Sequence, residues 1–197
     1  RRPDVLLTAG LTSLVLAAVV LPFELKVPLF KIGPLAITTS ELGIYLAVCL
    51  WATGRLLGRC GRWTPAHTAV AALGAISVLS ALCAPTYRVE AIKFSLRSLG
   101  GCALFAAASD LACTSNSAAK VGVALVAGSC LSAITAAAEI WLPGAAECLT
   151  MFKTQPSLIG SYLRASGTFQ YANIASMYWE ATLPLAMTFL LWYKRSL

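Results

Sequence analysis

The residues best equipped for chemistry lie between Tyr162 and Asn173: Arg164, the turn Gly167-Thr168-Phe169, and Asn173 at the start of a long apolar helix pattern. A guanidinium binds phosphate in a bidentate fork and stays charged at any relevant pH. Gly167 permits a turn that most residues resist, and Asn173 is suited to cap the helix that follows. Arg164 thus stands where a polar loop meets an apolar span. Two roles are open to it: a phosphate ligand, or an anchor to lipid headgroups.

Further polar residues recur at helical spacing. Arg88 precedes a span in which Glu90, Lys93 and Arg97 share one face, with Arg97 on the order of 10 Å below the helix start at 1.5 Å per residue. They are either snorkelling side chains with an internal Glu90–Lys93 pair, or the basic wall of an outward-facing cavity that holds an anionic headgroup. In the last span Asn173, Ser176 and Glu180 also share a face. Pro184 cannot donate to the carbonyl of Glu180, so a kink is expected beside that acid. Glu180 is an intramembrane carboxylate, open to a substrate contact or to a hydrogen bond, in its protonated form, with a neighbouring helix. Glu41 reads as a capping charge rather than a catalytic acid and His67, the one histidine, as a cap or packing residue, while Glu139 is either a solvated helix end or an acid pointing into the same outward-facing cavity.

The elements that must position these residues follow from composition. The chain is 58% hydrophobic and 12% charged, with a mean hydropathy of +0.77, which excludes an ordinary soluble domain. Six apolar runs, at about 5–21, 37–57, 68–84, 91–112, 118–141 and 172–192, approach the ~20 residues that cross a ~30 Å hydrocarbon core. Backbone polar groups cannot face lipid unpaired, so the runs are expected to be helices. The fold class is an all-α, polytopic transmembrane bundle of about six spans, read as a single transmembrane domain over 1–197 with a loop over 143–171.

Charge and cysteine usage narrow the partners. The net charge of +7 comes from fifteen Lys and Arg residues scattered between apolar runs, without the basic tract of a nucleic-acid binder. Seven cysteines form no Cys-x-x-Cys pair and have no histidine nearby, so no metal site is expected. Cys83 and Cys148 fall near the face read as outer, where a disulfide is open to them. The short loop with Arg55, Arg59 and Arg62 reads as cytoplasmic, which places the N-terminus inside and the 143–171 loop outside. Gly122, Gly128, Ser129 and Ser132 make the fifth run a packing helix.

Arg164, Gly167-Thr168-Phe169 and Asn173 together resemble the motif of the O-antigen ligase and O-antigen polymerase superfamily of bacterial envelope glycosyltransferases. The proline-rich first loop and the helix start Ile37-Thr38-Thr39-Ser40-Glu41-Leu42 resemble that family as well. The resemblance implies a metal-independent enzyme without a cofactor. Such an enzyme takes a glycan from undecaprenyl pyrophosphate and joins it to an envelope acceptor at the outer side of the bacterial inner membrane. Arg164 would engage the pyrophosphate, and Arg88, Lys93 and Arg97 are candidates to supplement it without a family role to carry over. The family's catalytic histidine lies on a large outer loop beyond further spans, which this sequence does not contain. The expectation is therefore the N-terminal part of a longer protein, with catalytic residues unassigned.

Two other classes compete with that reading. One is a non-catalytic transmembrane subunit, a shortened relative docked by its apolar faces in a larger membrane complex. The other is a transporter using Glu180 and Arg97, disfavoured because no repeated pair of broken helices is visible.

Overall fold

The computed structural model describes residues 5–32, 35–57, 63–153, 158–159 and 162–195. Helices occupy the apolar runs: α1 (Val5–Val20), α2 (Thr39–Leu56), α3 (Pro65–Leu82), α4 (Arg88–Leu111), α5 (Ser115–Trp141), the short α6 (Ala145–Cys148) and α7 (Ala172–Arg195). Four of them, α3, α4, α5 and α7 over Ala172–Leu191, are long and apolar enough to cross a membrane. Helix α1 is apolar but only 16 residues long, and α2 has Glu41 in its first turn and Arg55 in its last. The protein is an all-α membrane protein. Its six main helices match the expected runs to within a few residues, because an apolar run ends where charge, Gly or Pro begins.

Helix starts show how the sequence sets those ends. Before α2, the Thr38 N–H donates to Glu41 Oε2 at 3.0 Å and the Glu41 N–H to Thr38 Oγ1 at 3.3 Å. This reciprocal capping box gives Glu41 the capping role expected of it. Before α3, Pro65 fills the first helical position and the Thr64 N–H donates to Nδ1 of His67 at 3.2 Å. His67 is buried, contacts Ser109 Oγ through Nε2 at 3.2 Å, and packs between the rings of Trp63 and Phe105. It therefore caps and packs, as its position suggested.

The chain forms two compact units. The first comprises Arg1–Leu14 and Leu42–Ala118. Within it a Cβ on Gly10 would meet Leu111 and Leu50, and one on Gly74 would come within 3.0 Å of Leu99, so small residues set the helix spacing. Asp110 at the end of α4 accepts from Trp51 Nε1 at 2.8 Å and Arg55 Nε at 2.8 Å, and Arg55 Nη2 stands 2.6 Å away. The arginine also lies over the Trp51 ring, 5.6 Å from its centroid. Arg88 and Arg97 are exposed on α4, and Lys93 stands 3.9 Å from Glu90. The loop at 58–62, with Arg59, Arg62 and Cys60, lies outside the described residues.

The second unit comprises Val15–Glu41 and Ala119–Leu197. Its α1 segment and α5 meet at Gly128, where a Cβ would come within 2.8 Å of the Val19 carbonyl oxygen. Helices α5 and α7 are joined by Ser129 and Thr182, whose hydroxyls lie 2.7 Å apart, and by Tyr178, which donates to the Leu125 carbonyl at 3.4 Å. Helix α7 runs through Pro184 without interruption. The loops carry two antiparallel strand pairs: β1 (Phe30–Ile32) with β2 (Leu35–Ile37), and β3 (Leu158–Ile159) with β4 (Tyr162–Leu163).

Candidate functional site

The segment around Arg164 is built on a buried ion pair. Glu139 lies near the C-terminal end of α5 with its side chain fully buried, which overturns its reading as a solvated helix end. After α6 a 3-10 turn at Leu149–Met151 folds the chain back, and the Lys153 N–H donates to the Leu149 carbonyl at 3.2 Å. Lys153, whose side chain is 3% exposed, is paired with Glu139 Oε1 and donates to Ser166 Oγ at 3.0 Å. The second carboxylate oxygen accepts two backbone N–H groups, from Ser166 at 3.1 Å and Gly167 at 2.9 Å. Both carboxylate oxygens of Glu139 accept from donors, as a buried carboxylate requires.

The turn itself explains the glycine. The Phe169 N–H closes onto the Ser166 carbonyl at 3.0 Å, and Gly167 has φ +56°. A Cβ there would lie 2.9 Å from Thr135 Oγ1, 3.0 Å from the Ser132 carbonyl oxygen and 3.1 Å from the Ala136 nitrogen. Both the left-handed conformation and the close approach to α5 select glycine. Thr168, also buried, donates its hydroxyl to the Pro22 carbonyl. Phe169 leans on Tyr178 of α7, with ring centroids 5.3 Å apart.

Arg164 stands two residues before this clamp. It is exposed and has no hydrogen-bond or ion-pair partner among the described residues. Asn173 does not cap α7: the helix opens one residue earlier, at Ala172. The N–H groups of Ile174 and Ala175 instead close onto the Tyr171 carbonyl at 3.1 and 3.2 Å. Asn173 is exposed in the first turn, where its own carbonyl accepts from Ser176 Oγ at 2.9 Å. Glu180 is exposed further along the same helix. Of the residues singled out in the sequence, Arg164, Gly167, Asn173, Ser176 and Glu180 belong to this unit. Arg88, Lys93 and Arg97 belong to the other.

Beside the turn lies a groove of about 660 Å³, lined among others by Pro22, Lys26, Phe152, Thr168, Phe169 and Tyr178. Its floor is held by the Lys26 N–H, which donates to the Met151 carbonyl at 2.9 Å, and by Phe23 packed edge-on against Phe152 with centroids 6.1 Å apart.

No family model, curated protein or solved structure matches the chain.

Ser166 beside Lys153 has the spacing of a nucleophile and a base. The Ser166 hydroxyl, however, is fully buried, where no substrate reaches it, and Lys153 is engaged by Glu139. The cluster is a tether, and the group it leaves free to act is Arg164. Cys83 and Cys148 are both free thiols and exposed.

Sequence reading missed Lys153 and Glu139 as a pair, and Asp110 altogether. The signal was an acid and a base inside a chain that is only 12% charged, since charges are rarely fully buried unless paired.

Proposed function

We propose that this chain is part of an integral-membrane glycosyltransferase of the O-antigen ligase or polymerase kind, with Arg164 binding the pyrophosphate of a lipid-linked glycan. The observation that carries the reading is the exposed Arg164 guanidinium on a segment whose backbone is clamped by the buried Glu139–Lys153 pair. A charged group held in place by a rigid scaffold is set up to stabilise charge that develops during a reaction. In the proposed step an acceptor hydroxyl attacks the anomeric carbon from the face opposite the leaving group. The bond from that carbon to the pyrophosphate oxygen breaks, and the departing lipid pyrophosphate takes the electron pair. Arg164 would donate two N–H bonds to phosphoryl oxygens as that charge grows. The groove beside Thr168 and Phe169 offers apolar and aromatic surface for the first isoprenoid units of the carrier. The acceptor hydroxyl gives its proton to a catalytic base that is not assigned to a residue, and His67 is excluded because both its ring nitrogens are already engaged.

This reading places the protein in a bacterial inner membrane with its N-terminus cytoplasmic and the Arg164 loop outside. In the protein expressed from its own gene, Arg164→Ala should abolish glycan transfer with membrane insertion unchanged. Normal transfer by that variant would remove the claim. One observation favours the second reading, a non-catalytic subunit of a larger membrane complex: the acid Glu180 on the exposed face of α7.

A further inference from the structure

Glu180 lies eight residues into α7, roughly 12 Å from the helix start at 1.5 Å per residue, near the middle of a hydrocarbon layer of ~30 Å. It is exposed, and no hydrogen-bond or ion-pair partner meets it among the described residues. Met177, Leu183, Met187 and Leu190 are exposed on the same helix, so the acid sits in a surface that otherwise suits lipid. A carboxylate there is costly unless a donor covers it.

A groove of about 390 Å³ runs beside it, with Ser129, Cys130 and Ala133 of α5 on one wall and Ser176, Trp179 and Glu180 of α7 on the other. The small residues of α5 permit close approach of a helix backbone.

Among the described residues, three cations are already engaged. Arg55 pairs with Asp110 and Lys153 with Glu139, and Arg97 has an interaction of its own. No cation meets Glu180 among the described residues, which leaves its complement to a partner. We infer that the α5/α7 groove receives a transmembrane helix of a partner subunit that presents a lysine or arginine to Glu180. The inference does not depend on the role of Arg164.

The test uses the full chain with Cys130 as its only cysteine, in phosphatidylcholine nanodiscs. The probe is a polyleucine transmembrane helix with one central lysine and a cysteine one turn away, and the same helix without the lysine is the control. The lysine helix should associate about tenfold more tightly than the control, the scale of an interhelical polar contact in lipid, and should form a disulfide with Cys130. Glu180→Gln, at an exposed position where the fold is not at risk, should reduce both readouts to the control level. Equal association of the two helices, association that survives Glu180→Gln, or failure to cross-link Cys130 would each overturn the inference. Glu180-dependent self-association of the chain that shuts out the probe would make a second copy the occupant and overturn it as well.

Discussion

The backbone N–H of Gly167 donates to Oε2 of Glu139 at 2.9 Å, across 28 residues of chain. Through that contact one acid in α5 sets the position of a turn that stands between an exposed arginine and the start of an apolar helix and contains a left-handed glycine. The other oxygen of Glu139 holds Lys153, so the loop is tied at both ends to the same carboxylate.

Glu139→Ala should destabilise the protein by about 3–5 kcal/mol, because it leaves the Lys153 ammonium buried without its counter-charge. Unfolding free energies measured by steric trapping in bicelles give the number. Glu139→Leu combined with Lys153→Met should recover a large part of the loss. It should not recover all of it, since the Ser166 and Gly167 N–H groups stay unpaired at about 1–3 kcal/mol each. A cost under about 1 kcal/mol for Glu139→Ala would mean that the pair does not hold the loop.

Gly167→Ala combines a left-handed conformation, worth about 1–2 kcal/mol for a residue with a Cβ, with an overlap worth about 1–3 kcal/mol. Two of the three atoms it would strike, the Ser132 carbonyl oxygen and the Ala136 nitrogen, are helix backbone and cannot turn aside. The thermal midpoint should fall, and cleavage by added protease within 162–171 should rise. An unchanged midpoint would contradict the turn geometry.

Two glycines of α5 that look alike in sequence should respond differently. A Cβ on Gly128 meets the Val19 and Ala18 carbonyl oxygens at 2.8 and 3.1 Å, whereas one on Gly122 meets the Phe189 ring at 2.7 Å. A ring can rotate away and a helix carbonyl cannot, so Gly128→Ala should cost about 1–3 kcal/mol and Gly122→Ala less. Comparison of the two unfolding free energies decides it, and the reverse order would refute the packing described for α1 and α5.

Much of the fold was legible because lipid imposes a simple rule: apolar runs such as 172–192 must be helices, and Glu41 marks a helix start, whereas the Thr64-Pro65 start of α3 went unread and that run was expected from about 68. The clamp was not legible. Glu139 and Lys153 are 14 residues apart with a short helix and a 3-10 turn between them, and no periodicity links positions on either side of a loop. Glu139 was misread because it lies near a helix end, where solvation is the ordinary outcome. Asn173 was misread because helix starts shift by one or two residues, and here Tyr171 supplies the first carbonyl. Asp110 was hidden in the same way as Lys153: its partners Trp51 and Arg55 lie 59 and 55 residues away.

The most direct measurement is the affinity of the purified protein in nanodiscs for undecaprenyl pyrophosphate, against undecaprenol as the phosphate-free control, for the wild type and for Arg164→Ala. If Arg164 binds the pyrophosphate, the wild type should prefer it over the alcohol and Arg164→Ala should lose at least about tenfold, the weight of one charge-assisted bidentate contact. Equal affinities of wild type and variant, or no preference for the pyrophosphate over the alcohol, would contradict the role of Arg164.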